Sequence, residues 1–161
     1  MMLRDRVICE SLDDFSDPSV IELLHFHQTS AHAETAPGSA HALDLKGLQS
    51  PDITVWTIWD NECLVGVGAL KQLAGGHGEV KSMHTVQSMR GRGVGSAILR
   101  HIIMSARAMG MSRLSLQTGS WDYFQPAHAL YRSHGFVECP PFADYLPDPN
   151  SILMSLDLRA S

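Results

Sequence analysis

Three glycines alternate with other residues in Arg90-Gly91-Arg92-Gly93-Val94-Gly95, at the joint between a stretch of strand-like alternation and one of helical periodicity. A backbone of this kind makes an anion site. Alternate glycines leave no side chain in the path of a phosphate, the first N–H groups of a following helix lack intrahelical partners, and the helix dipole adds partial positive charge. Arg90 and Arg92 reinforce it. Two known phosphate patterns are not met. A nucleotide P-loop carries lysine and then Ser or Thr after its last glycine, but Gly95 is followed by Ser96-Ala97. A dinucleotide fingerprint counted from Gly91 needs glycine at its sixth position, where Ser96 stands, and Gln87-Ser88-Met89 does not resemble the end of a buried parallel strand.

A second polar group lies just upstream. Regular alternation over Glu79 to Val86 places Glu79, Lys81, Met83 and Thr85 on one face and Val80, Ser82, His84 and Val86 on the other. On such a strand His84 points away from Glu79 and joins it only if the strand bulges. Nine histidines raise the question of a metal, yet His25 and His27 are two apart on an expected helix, His128 and His134 are six apart, and no HExxH occurs. No metal is expected. Cys9, Cys63 and Cys139 are odd in number and widely spaced, which suits small core hydrophobes better than a disulfide framework or a metal site.

The elements that must position these residues follow from pattern. A first strand covers Arg4 to Glu10, and Asp17-Pro18 starts a helix to about Ser30 with Leu23, Leu24 and Phe26 as its buried stripe. Ala31 to Ala42 reads as a loop that can cover substrate, flanked by His32 and His41, before a helical turn at Leu43 to Leu48. Ile53 to Trp59 and Cys63 to Leu73 form a hairpin across Asp60-Asn61-Glu62. Ile98, Leu99, Ile102, Ile103 and Ala106 recur at helical spacing from Val94 to Met109, and Gly110 ends that helix. A strand at Arg113 to Thr118, a helix at Pro126 to His134 and short strands at Phe136 to Glu138 and Ile152 to Leu158 complete one domain over residues 1–161.

The 161 residues carry a net charge of −5 with 18% charged side chains, which argues against a broad basic face for nucleic acid. No apolar run reaches the roughly 18 residues of a membrane span, and Met1 to Arg6 lacks a secretory apolar stretch, so a cytoplasmic location without membrane contact is expected. A homodimer stays open.

A coenzyme A diphosphate site is the remaining phosphate reading. Arg90-Gly91-Arg92-Gly93-Val94-Gly95 fits the pattern of Gln or Arg, two residues, Gly, one residue, Gly or Ala, and Leu130-Tyr131 followed after three residues by Gly135-Phe136 fits a second. With both, the sequence from about Ile53 to Leu158 resembles the GCN5-related N-acetyltransferase (GNAT) superfamily, in particular its bacterial small-molecule acetyltransferases. The resemblance implies an α/β fold with a mixed, mostly antiparallel central sheet of six to seven strands and about four helices. It implies acetyl-CoA as co-substrate, its diphosphate held by Arg90, Gly91, Arg92, Gly93, Val94, Gly95 and Ser96. Met83 and Thr85 would hold the acyl-pantetheine arm at a strand that splays from its neighbour, with the Met83 N–H facing the thioester oxygen. One position departs: an asparagine frequent seven residues before the tyrosine is Phe124 here.

Acetyl transfer needs a neutral nucleophile, stabilisation of an oxyanion and a proton for the leaving thiolate. By the same resemblance Glu79, eleven residues before Arg90, is the candidate base and Tyr131 the acid. Structural alternatives are an ion pair of Glu79 with Lys81, core packing of the Met83 side chain and a packed tyrosine. Pro141 to Tyr145 either closes over the acceptor or packs as a surface loop. The function implied is N-acetylation of a primary amine on a small molecule. Another acyl group, a hydroxyl acceptor, or a coenzyme A sensor without catalysis are the alternatives.

Overall fold

The computed structural model describes residues 6–10, 17–36 and 45–159. Its strands are β1 (Arg6–Glu10), β2 (Ile53–Asp60), β3 (Cys63–Leu73), β4 (His77–Thr85), β5 (Arg113–Gly119), β6 (Val137–Glu138) and β7 (Ser151–Asp157). Its helices are α1 (Pro18–Ala33), α2 (Leu45–Leu48), α3 (Val94–Ala108) and α4 (Gln125–Ser133), with 3-10 turns at Gln87–Met89 and Asp122–Phe124. The strands form one sheet in the order β1-β2-β3-β4-β5-β7-β6. Among the described strands only β4 and β5 pair in parallel. This is the mixed α/β architecture that the motifs imply.

Each face of the sheet carries its own core. On one face α3 buries Ile98, Leu99, Ile102, Ile103 and Ala106 against β2 to β5, and Tyr131 and Phe136 join the same cluster. Gly66 and Gly68 on β3 let α3 come close, since a Cβ on Gly66 would stand 2.8 Å from Val94 Cγ1 and one on Gly68 2.9 Å from Ile102 Cδ1. On the other face α1 and α2 set Val20, Leu24 and Leu48 against Val55, Val67 and Ala69. Asp17 caps α1 by accepting from the Ser19 N–H at 2.9 Å, and Pro18 occupies the first turn where no N–H is needed. The expected stripe of α1 is corrected at Phe26, which is 51% exposed, while Val20 takes its place. Cys63 is also exposed, because it opens β3 directly after the turn. Ala31–Ala33, expected as loop, continue α1, and residues 37–44, including His41 and half of the expected covering loop, lie outside the described residues.

Two irregularities of β4 matter for function. Its parallel pairing with β5 covers only His77–Val80 against Arg113–Leu116, after which the two strands part. Its antiparallel pairing with β3 slips, with Ala69 opposite Lys81 but Val67 opposite His84, so Ser82 and Met83 together face Gly68. That is a β-bulge, and Ser82 carries its positive φ of 55°. The alternation expected from the sequence is corrected by it. Glu79, Lys81 and His84 share the α1 face, whereas Val80 and Met83 pack with the α3 core and Thr85 lies beside Gly95. One inserted residue reverses every side chain beyond it.

Candidate active site

Where β4 and β5 part, a cavity of about 390 Å3 opens, walled by Lys81 to Thr85 on one side and Gln117 to Gly119 on the other. The glycine turn forms one end of it. Gly91 and Gly93 have φ of 77° and 80°, a left-handed conformation natural to glycine, and a Cβ on either would meet nothing within 4 Å. The cradle is therefore open. Gly93 caps α3 without a side-chain hydrogen bond, the first turn holds no acidic residue, and the first helical bond is from the Ala97 N–H to the Gly93 carbonyl. The N–H groups of Val94, Gly95 and Ser96 thus precede the hydrogen-bonded ladder and are free to serve an anion.

Ser96 is held by residues that the sequence did not mark. His134 Nδ1 donates to the Leu130 carbonyl at 3.0 Å, which leaves Nε2 to accept from Ser96 Oγ at 3.1 Å. Arg100 donates to the same Oγ at 3.3 Å. The helix turn that follows Tyr131 and the helix that follows the glycines are coupled at that hydroxyl.

Tyr131 of α4 lies in the cavity wall, 7% exposed, with its ring edge-on to Phe136 at 5.9 Å. Burial pushes its phenol up to about 12, so it stays protonated, and no described residue hydrogen-bonds its hydroxyl. Phe124 fills the position where asparagine is frequent. Its ring lies on Gly119, where a Cβ would overlap it, and His128 Nε2 donates to the Gly119 carbonyl at 2.8 Å. Those two contacts hold the diverging end of β5 to α4.

Glu79 lines the cavity and is 3% exposed. Its Oε2 accepts from Lys81 Nζ at 3.2 Å and from the Tyr145 hydroxyl at 2.5 Å. No described residue bonds its other oxygen. The ion pair with Lys81 exists, and the same carboxylate faces the cavity. Burial, the Glu79 charge and the hydrogen bond to Glu79 all hold the Tyr145 phenol well above its usual range. The loop from Pro141 to Tyr145 is therefore pinned behind Glu79, with Phe142 packed edge-on to His77 at 5.3 Å. Met83 and Thr85 line the cavity from the α3 side, and the Met83 side chain packs against the core as well.

The bulge brings His84 to α1. His84 Nδ1 lies 3.0 Å from His27 Nδ1, with Phe26 edge-on to the His84 ring at 5.5 Å, and both imidazoles line the cavity. Burial pushes His27 down to about 3, aided by His84, and His84 down to about 4, aided by the Arg90 charge. His32 is exposed and outside the wall. Among the described residues no group of three or more His, Cys, Asp or Glu is placed to hold a metal, and no helix is long and apolar enough to cross a membrane.

A family model described as the acetyltransferase (GNAT) family matches residues 19–136. The chain belongs to the GNAT family. As a GNAT acetyltransferase it is an enzyme that draws on an acyl-CoA donor. It is 46% identical over 146 residues to the uncharacterised N-acetyltransferase YedL of Escherichia coli K12, covering 91% of this chain and 92% of YedL. It is likewise 46% identical to the uncharacterised N-acetyltransferase YsnE of Bacillus subtilis, covering 91% and 97%, and 41% identical to an IAA acetyltransferase of Azospirillum brasilense, covering 74% and 78%. In fold, this GNAT chain matches a Bacillus subtilis acetyltransferase solved with CoA at a TM-score of 0.68 and 16% identity, covering 94% and 99%.

Proposed function

We propose that the protein transfers the acetyl group of acetyl-CoA to the primary amine of a small molecule, by direct attack in a ternary complex without a covalent enzyme intermediate. The observation that carries this is the cleft between β4 and β5, which joins the open glycine cradle to Tyr131 and Glu79 in one cavity. The cradle suits a diphosphate because Gly91 and Gly93 have free space and helical N–H groups face it. Arg90, Gly91, Arg92, Gly93, Val94, Gly95 and Ser96 would hold that group, and Met83 and Thr85 the pantetheine arm. When bound, acetyl-CoA supplies the thioester carbonyl and the leaving thiolate.

The chain's own groups supply the proton traffic. Glu79 attracts the acceptor's ammonium and takes its proton, directly or through water, at the oxygen left free by Lys81 and Tyr145. The Met83 N–H lies at the bulge, where pairing is interrupted, and faces the developing oxyanion. Tyr131, protonated and without a hydrogen-bond partner for its hydroxyl among the described residues, gives a proton to the sulfur. Glu79 is the one carboxylate in the cavity wall among the described residues, and Lys81 offsets its charge. A single amino group therefore suits the site better than a polycation.

A screen of amines with acetyl-CoA, read as thiol release and as acetylated product, tests the proposal. The expected result is turnover of one amine class by the native chain. IAA belongs in the panel as the compound named for the Azospirillum relative. Binding of acetyl-CoA with no acceptor consumed would favour a sensor instead.

A further inference from the structure

We infer that the His27–His84 pair is a proton acceptor for the attacking nucleophile, a second station beside Glu79. The inference rests on the acyl-transfer reading above. Two ring nitrogens of the same kind 3.0 Å apart can bond only if one is protonated and the other bare. In the neutral pair, then, one Nδ1–H lies in the bridge, one Nε2 is bare and the other Nε2 carries a proton. A proton added at the bare Nε2 leaves the bridge intact, whereas a second would put two N–H groups face to face. The capacity of the pair is one proton.

Its surroundings keep that capacity available. His84 faces His27 and Phe26 from α1, Arg90 from the glycine turn, and the apolar Val67 from β3, while Lys81 and Glu79 follow on its own strand face. No carboxylate among these groups pairs with either imidazole, and burial favours the neutral form of both. A purely structural link between α1 and the sheet needs no imidazoles, since Val20 and Leu24 make one with Val67 and Ala69 on the same face. A buried imidazole, His84, bonded to a half-buried one, His27, in the wall of the cavity asks for another role.

An alkylammonium loses two protons on becoming an amide. Glu79 takes the first and exposes the lone pair. As the C–N bond forms and the C–S bond breaks, the electron pair of the C–S bond goes to sulfur, which takes the Tyr131 proton, and the second nitrogen proton goes to the bare Nε2. The bridge proton then crosses from one Nδ1 to the other, and the far Nε2–H leaves to water or to the tyrosinate. Glu79 gives its proton to water, so one proton is released overall, and the two imidazoles have exchanged tautomers.

Asparagine places its amide where histidine has Nδ1, so His27→Asn keeps a bridge to His84 but cannot pass a proton. In the full chain, His27→Asn and His84→Asn should each lower kcat/KM for the best amine about 10- to 100-fold, through kcat rather than KM. Added imidazole should restore part of the rate, and CoA affinity by calorimetry should stay within about twofold. Nitrogen-15 NMR of the native chain should show opposite tautomers at His27 and His84. Identical tautomers, near-native kcat/KM in His27→Asn, or losses that track CoA affinity and thermal stability would each overturn the inference. A native chain that acetylates no amine overturns the acyl-transfer reading first, before any variant is made, while the tautomer measurement still reads the pair itself.

Discussion

Tyr131 combines three properties that suit an acid for a thiolate: a place in the cavity wall, a pKa pushed up to about 12 by burial, and a hydroxyl with no bond to any described residue. Tyr131→Phe removes only that hydroxyl, so kcat should fall about 100-fold with CoA affinity unchanged, a split that calorimetry and steady-state rates would show. Gly93→Asp acts at the opposite end. It sets a like charge in the cradle and forces a side chain into φ of 80°, so CoA binding should fall below detection in the same calorimetry while the core melts near its native temperature. Sequence identified both positions because each lies within a short local pattern. It had no means of pairing Tyr145 with Glu79 or His27 with His84, whose contacts span 66 and 57 residues.

At the level of elements the bulge in β4 is decisive. Ser82 carries two costs of it, a positive φ and a buried hydroxyl with no hydrogen-bond partner among the described residues. Ser82→Gly should therefore stabilise the fold by about 1 kcal/mol, and Ser82→Val should destabilise it by more than that, as read from urea unfolding midpoints. Helix α3 was legible from its sequence, because five apolar residues keep helical period between Gly93 and Gly110. The bulge was not. Lys81, Ser82, Met83 and His84 alternate without a strongly apolar partner series, so one inserted residue leaves no trace in the pattern. The price of that silence was the placement of Met83 and Thr85 on the face of Glu79, and of His84 on the opposite one.

For the whole molecule, the paired imidazoles of His27 and His84 tie stability to pH. In the native state they titrate near 3 and 4, against about 6.5 in an unfolded chain, so between those values the unfolded chain binds more protons. Stability then falls as pH drops below about 6.5, on the order of 2 kcal/mol for each imidazole at pH 5. Thermal unfolding from pH 7.5 to 5 should show the decline, and a His27→Gln/His84→Gln double variant should show less of it. The sheet adds a different kind of consequence. β4 and β5 stop pairing after Val80 and Leu116, so the sheet is unfinished along the strip where the cavity lies. A donor whose amides lie along that strip would act as a missing strand, and turnover would then repeatedly complete and reopen the sheet. Between Lys81 and Thr85, the backbone amides turned away from β3 should exchange more slowly in the loaded protein than without the donor, while those bonded to β3 should change little.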